Sequence, residues 1–380
     1  MNTMAILFWL SVAFLAYTTV GYPLLIAVIG SVRRRVQHRA GICPRVSLII
    51  PCYNEGETLR RKISNSLALT YPKDQLEIIV VSDGSRDSPG DIVRQFPDPV
   101  LKFLELPERC GKHHAQMIAR DASSGEVLVF TDASVQLDAD ALEKIVSNFA
   151  DPSVGCVSSE DDVVSEGSSG VGERIYVRVE MWLRRMEASA GSLVGVSGSF
   201  FAARRSLCQR WHPAQSSDFF LPLHCVQQGL RTVVDPDSRG HYGVTRRERA
   251  ELYRKVRTIV HGLDVFFTHL ELANPFRYGF FAVQLVSHKL FRWLVPFAAL
   301  TLFISNAALW KAGPFYWTTL VTQAVLYAGG TLALVFGKLA PLKPLRVAGF
   351  FLLANAATLI AWLKFSTGER FVTWQPTRRS

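Results

Sequence analysis

No charged side chain occurs between Met4 and Ile29. A helix rises 1.5 Å per residue, so about 20 apolar residues cross the ~30 Å hydrocarbon core of a bilayer. This run is too long for the core of a signal peptide and no small-residue cleavage site follows it, so it reads as an anchor over residues 1–32. Trp293 to Trp310, Phe315 to Phe336 and Val347 to Leu363 are also free of charge, and the first is bracketed by tryptophan as interfacial belts are. The pattern predicts one pass before a polar middle and three after it, the latter within residues 293–365. A basic tail at 366–380 follows.

Arg33, Arg34, Arg35 and Arg39 follow the first run. Basic residues next to a membrane span stay in the cytoplasm, which predicts the N-terminus outside, residues 40–275 inside, and a location in the inner (plasma) membrane. Lys338, Lys343 and Arg346 mark the next cytoplasmic loop. Four passes put the tail outside, against the preference of Lys364, Arg370, Arg378 and Arg379. Two resolutions stay open: a re-entrant last segment, or an extra crossing within 276–310, which His288, Lys289 and Arg292 make costly.

The net charge of +10 suits a surface lying on anionic lipid and handling a diphosphate. No recognition-helix or RNA-binding pattern occurs, so nucleic acid is not expected as a partner. The cysteines at 43, 52, 110, 156, 208 and 225 show no metal spacing and, on the cytoplasmic side, are expected as reduced thiols.

Between Val46 and about Ser159, short apolar runs alternate with helical periodicity. Val46–Ile50, Leu76–Val81, Val100–Leu106 and Glu126–Phe130 read as strands. Helical stretches near 87–96, 111–123 and 138–150 separate them. Valine and isoleucine runs without polar alternation suit strands buried on both faces, hence an α/β fold with a mostly parallel sheet flanked by helices, set in a domain at 40–245. Residues 160–170 read as a loop, Arg174 to Met186 as an amphipathic helix, and Gly191 to Phe201 as a loop entering a strand. Residues 246–263, with Arg246, Arg247, Arg249, Arg254, Lys255 and Arg257, form a basic amphipathic helix. The pattern allows this segment, within 246–292, to lie at the membrane interface or to pack on the domain.

Ligands of such sheets bind beyond the carboxyl ends of the strands. Tyr53-Asn54-Glu55, Asp83-Gly84-Ser85 and Asp132-Ala133-Ser134 all stand there. Each alone reads equally as a turn or a helix cap; three at one sheet edge favour a binding crevice. Gly111-Lys112 puts a cation and free N–H groups at a helix start, an anion site. Asp218, in Ser216-Ser217-Asp218-Phe219, precedes a helical stretch and reads as an acid–base carboxylate or as its cap.

In this order over residues 46 to about 260, these motifs resemble the membrane-embedded family 2 glycosyltransferases, the group of cellulose, hyaluronan and poly-N-acetylglucosamine synthases. The resemblance implies a GT-A, Rossmann-like domain and an inverting transfer from a UDP-sugar. It implies that Tyr53, Asn54, Glu55 and Asp83 hold the nucleoside, with Lys112 near the diphosphate. Asp132 would bind ribose and, with Ser134, Mg²⁺ or Mn²⁺. The family's second metal carboxylate is a serine here, which leaves Asp132 as the only carboxylate of that motif. Asp218 matches the family's catalytic base. The Q-x-x-R-W motif departs to Glu251-Leu252-Tyr253-Arg254-Lys255, keeping Arg254, with Arg257 close by, for the leaving diphosphate. The missing tryptophan usually helps wall the acceptor site, which bears on processivity. Gly198-Ser199 with Arg204 and Arg205 resembles the donor–acceptor junction.

The leading expectation is a β-glycan synthase extending a polysaccharide, with secretion or synthase subunits as possible partners besides membrane lipids. One alternative is a single transfer to a lipid-linked acceptor. Another is a non-catalytic nucleotide-sugar binder, suggested by Ser134 and opposed by Asp218.

Overall fold

A computed structural model of the protein describes residues 2–164, 171–213, 215–243, 248–336, 343–369 and 371. Eight strands form one sheet in the order β3-β2-β1-β4-β7-β6-β8-β5. They are β1 Val46–Cys52, β2 Leu76–Asp83, β3 Leu101–Leu106, β4 Val127–Thr131, β5 Gln136–Leu137, β6 Val154–Val164, β7 Phe200–Arg204 and β8 Arg231–Gly243. The half built from the predicted strands, β3-β2-β1-β4, is parallel throughout. β1, β2 and β4 are buried at every position, which is why their sequences are unbroken apolar runs.

The other half mixes directions. β7 runs antiparallel between β4 and β6, while β6 lies parallel to β8. Residues 160–164, expected in a loop, extend β6 and pair with Arg239–Gly243. Their polar sequence hides the strand because its order comes from main-chain bonds to a distant partner. Residues 165–170 lie outside the described set, as do Arg246, Arg247, Lys338, Arg370 and the tail from 372.

Helices α1 Gly56–Leu67, α2 Pro89–Val93, α3 Lys112–Asp121 and α4 Ala141–Ser147 connect the strands. Two apolar cores result, one on each face of the sheet. Leu48, Ile50, Ile63 and Ile145 belong to the first; Ile49, Phe130, Phe201 and Phe220 belong to the second. Helices α5 Val171–Ala190, α6 Ser217–Gln227 and α7 Glu248–Thr268 complete the domain.

Among the described residues four helices are long and apolar enough to cross a membrane: M1 Thr3–Arg33, M2 Phe280–Ala308, M3 Pro314–Val335 and M4 Pro344–Ser366. M2 is continuous, so no second crossing occurs within 280–308. Its 29 residues span about 43 Å, more than the bilayer core, which lets its charged first third sit level with the domain. M1 joins the domain through α5: Tyr22 and Ile26 pack with Leu183 and Ala190, and a Cβ on Gly30 would stand 2.7 Å from the Met186 carbonyl.

The basic helix α7 is wedged between domain and membrane helices. Val256 and Val260 pack on Ala357 and Ala361 of M4, while Val265 and Phe266 join the second sheet core. Its apolar face is covered by protein, the second of the two arrangements its pattern allowed.

Candidate active site

The polar motifs converge because parallel strands end at one edge. Tyr53 follows β1, Asp83 ends β2 and Asp132 follows β4. The first two loops are stitched together: the Asn54 N–H donates to Ser85 Oγ at 3.2 Å, the Arg86 N–H to Asn54 Oδ1 at 2.8 Å, and the Gly56 N–H to Asp87 Oδ2 at 2.8 Å. Asn54 needs φ of 50° to do this, a region asparagine tolerates better than most residues.

Asp83 is fully buried. Its carboxylate accepts the Cys110 N–H at 2.7 Å and the Gly111 N–H at 3.0 Å, so it fixes the loop entering α3. Gly84 has φ of 65°, and a Cβ there would come within 2.7 Å of the Arg109 nitrogen. Two independent reasons therefore demand glycine. The same loop lays the Arg109 guanidinium over the Tyr53 ring, 4.0 Å from its centroid.

At the start of α3 the Lys112 ammonium pairs with Asp132 Oδ1 and donates to the Gly198 carbonyl at 3.1 Å. The Asp132 N–H donates to the Ser199 carbonyl at 3.0 Å. Asp132 is thus clamped between α3 and the loop before β7. That loop is itself tied down, with Ser197 Oγ and Ser199 Oγ donating to Asp161 Oδ1 at 2.6 and 2.7 Å.

Asp218 faces this clamp from the other side. Its Oδ2 lies 2.8 Å from where a Cβ on Gly198 would stand, so only glycine admits the carboxylate. The cap of α6 is Ser216, and Asp218 sits in the first turn with no capping hydrogen bond among the described residues. Its main-chain carbonyl accepts the Val196 N–H at 2.9 Å. The partial positive charge of a helix start favours an ionised carboxylate there.

Arg254 and Arg257 of α7 divide. Arg254 forms a bidentate pair with Glu251 at 2.9 and 2.8 Å, and Lys255 lies 3.2 Å from the same carboxylate. Burial raises the pKa of Glu251, but Arg254 and Lys255 override it and hold the group at about 2. The glutamate in place of glutamine therefore locks Arg254 within its own helix turn. Lys255, in place of tryptophan, sits over the rings of Tyr176 and Phe350 at 5.3 and 4.5 Å. Arg257 stands within electrostatic range of the site: burial pushes its pKa down, Tyr253, Asp132 and Asp218 favour its charge, and Arg254 opposes it. Arg204 and Arg205 point elsewhere, to the carbonyls of Val154 and Ser123, and brace the sheet.

Several contributors carried no readable sequence pattern. Gln116 Oε1 accepts the Ser217 hydroxyl at 3.0 Å and links α3 to the Asp218 turn. His113, beside it, is held neutral by burial and by the charges of His261 and Lys112. Lys62 is wholly buried under the Asp132 loop, donating to Thr131 Oγ1 at 3.0 Å and to the Val135 carbonyl at 2.7 Å. A helical period marks Lys62 as inward-facing, next to Ile63, but its charge argues the opposite.

Burial drops the Lys62 pKa to about 7, against the pull of Asp132. A lysine in the unfolded chain titrates near 10.4. Between these values the unfolded chain holds one more proton, so stability rises with pH by up to about 1.4 kcal/mol per unit. Lys62→Met should remove that slope. Thermal unfolding in detergent between pH 7 and 10 should show wild type gaining on the variant as pH rises; parallel curves would refute the assignment.

For a divalent cation the motif supplies the Asp132 carboxylate, which it shares with Lys112, and, two residues on, the hydroxyl of Ser134. Among the described residues no group of three or more His, Cys, Asp or Glu gathers around a metal position. One carboxylate with a hydroxyl fits Mg²⁺ or Mn²⁺ when diphosphate oxygens and water complete the shell.

Comparison with known proteins agrees with this geometry. Residues 47–211 match the family model described as glycosyl transferase family 2. An N-acetylglucosaminyltransferase from Rhizobium sp. (strain N33) is 29% identical over 215 residues, 51% of this chain and 47% of the relative. A poly-beta-1,6-N-acetyl-D-glucosamine synthase from Staphylococcus epidermidis is 30% identical over 165 residues, 42% of this chain and 40% of the relative. The matched part spans about half the length of these curated relatives or less. Among solved structures, the mannosyltransferase PcManGT from Pyrobaculum calidifontis, in complex with GDP-Man and Mn²⁺, superposes with a TM-score of 0.73. It is 26% identical, and the match covers 96% of this chain and 100% of that one. The parallel strands, the loops at their carboxyl ends and these matches make residues 47–211 of this chain a family 2 glycosyltransferase domain with the GT-A fold.

Proposed function

We propose that the protein transfers one sugar, with inversion, from a nucleoside diphosphate sugar to a lipid-linked acceptor at the membrane surface. The observation that carries this is the convergence on Gly198. The Lys112–Asp132 pair touches its carbonyl, and the Asp218 carboxylate fills the space a side chain would take. Nucleotide end and base are thereby separated by a single residue.

Tyr53, Asn54, Glu55 and Asp83 shape the nucleoside pocket, with Arg109 over Tyr53 as its stacking surface. Lys112 and Arg257 receive the diphosphate, and Arg254 acts at one remove through its pair with Glu251. The acceptor hydroxyl approaches the anomeric carbon on the face opposite the diphosphate and gives its proton to Asp218 as the new bond forms. The sugar–phosphate bond breaks, and the cations stabilise the charge left on the diphosphate. A divalent cation at Asp132 and Ser134 would add charge neutralisation to the same phosphates.

Single transfer is favoured over chain extension by Lys255. A wall residue of an acceptor channel would face the sugar; Lys255 instead packs between α5 and M4. Polymer synthesis remains the second reading, supported by the relatives named as poly-beta-1,6-N-acetyl-D-glucosamine synthases. Purified full chain, given UDP-sugars or GDP-mannose with membrane extract, should release nucleoside diphosphate and yield lipid products one sugar longer by mass spectrometry. A ladder of long glycans would establish the second reading, and failure to consume any donor would overturn both.

The domain is proposed to face the cytoplasm, from Arg33, Arg34, Arg35 and Arg39 at the end of M1. A reporter fused near residue 150 should be active only inside; activity only outside reverses the topology.

A further inference from the structure

A group of charged side chains where the domain meets M1 and M2 is not used by the chemistry above. After its first six residues M2 carries a π-helical turn, Val286–Leu290, a local distortion found mostly at functional positions. His288 from this turn lies 2.6 Å from Glu187 Oε1 and 3.2 Å from Glu180 Oε1. Arg292 donates to Glu180 at 2.8 Å, and Arg184 lies 3.5 Å from the same carboxylate. The Tyr22 hydroxyl from M1 donates to Glu187. Glu180 and Glu187 thus face this cluster of cations, and Asp161 also attracts Arg184.

Lys289 is the cation of this cluster that stands outside those pairs. Among the described residues its ammonium has neither an ion pair nor a hydrogen bond. It lies over the Phe219 ring, 5.2 Å from the centroid, and 3.2 Å from where a Cβ on Gly195 would stand. Phe219 adjoins Asp218, and the Asp218 carbonyl is 3.8 Å from that same Gly195 position. A cation without a counter-ion on a membrane helix is costly to keep, and it stands within one residue of the proposed base. One turn further along M2, Trp293 meets Phe219 and Phe266 edge to face, at 6.3 and 5.9 Å between ring centroids. These rings close the second core, and beyond them Phe297, Leu300 and Ile304, exposed at helical spacing from Trp293, carry an apolar face along M2.

We propose that Lys289 receives the phosphate of a phosphorylated lipid carrier, whose chain follows M2 and whose sugar hydroxyl is thereby presented to Asp218. This rests on the lipid-linked acceptor reading and names the group that anchors the acceptor. The anion supplies the missing counter-charge, so binding costs less desolvation than pairing two fully hydrated ions. Phosphate and chain must arrive together; inorganic phosphate carries the charge without the apolar contact.

The test is equilibrium binding of a labelled polyprenyl phosphate, the matching polyprenol and inorganic phosphate to the full chain in detergent. Wild type should hold the polyprenyl phosphate at least about tenfold more tightly than the alcohol, with inorganic phosphate a weak competitor. Lys289→Gln should erase the preference for phosphate over alcohol, and Lys289→Arg should keep it. Nucleoside diphosphate binding near the wild-type value shows that a variant is folded. Equal affinity of wild type for phosphate and alcohol overturns the inference without any variant, as does a preference that survives in Lys289→Gln. Inorganic phosphate competing as strongly as the lipid would mean a bare anion site and also overturns it. Donor hydrolysis by wild type without acceptor reports separately on the glycosyltransferase reading, so the two fail in distinguishable ways.

Discussion

Asp218→Asn should fold, bind donor as wild type does, and lose transfer by about 10² to 10⁴, the range of a single acid–base group. The substitution keeps the size that fits against Gly198. It also leaves the main-chain bond from Val196 and the Ser216 cap untouched, because neither uses the carboxylate. What is lost is the ability to take a proton. The check is donor affinity beside single-turnover transfer. Transfer within about threefold of the parent, a loss far below the general-base range, would remove Asp218 from the mechanism. Gly198→Ala gives an independent view of the same contact, since its methyl would stand 2.8 Å from Asp218 Oδ2 and displace the base.

Excess chelator should stop transfer, and Asp132→Asn should reduce it by at least about 100-fold, because a metal clamp supplies several kcal/mol of charge neutralisation. Asp132 is the carboxylate of the Asp132-Ala133-Ser134 motif, and it also pairs with Lys112. The variant therefore frees Lys112 to stay on the diphosphate and leaves a weakened metal position. Ser134→Asp should lower the metal concentration needed for half-maximal rate, since a second carboxylate joins the shell. Full turnover in chelator would mean that Lys112 and Arg257 neutralise the diphosphate by themselves.

Sequence and structure agree most closely where one face of the argument is local. Val46–Cys52, Leu76–Asp83 and Val127–Thr131 are parallel strands buried on both sides, and such strands need continuous apolar runs. Parallel strands share a carboxyl end, so Tyr53, Asp83 and Asp132 had to meet. The four charge-free runs are visible for a similar reason: a bilayer demands about 20 apolar residues in succession. Gly84 is legible as a turn, though its contact with Arg109 is not.

The remainder depended on partners far away in the chain. Residues 160–164 read as loop because polar strands are stabilised by main-chain bonds that leave no apolar pattern, here to 239–243. Arg254 and Arg257 lie three residues apart on one helix; the i,i+3 spacing offers Glu251 to the first, but nothing local says that Asp132 and Asp218 attract the second. Lys62 looks like a surface lysine until the Asp132 loop closes over it. Composition and periodicity determined the strands, the membrane helices and the edge of the sheet where chemistry gathers, because those follow from burial along a continuous segment. Which charge faces which was decided only by the tertiary structure. The energy of a charge depends on its nearest partners and on water, and both are set by packing between segments more than 100 residues apart, as with Glu187 and His288.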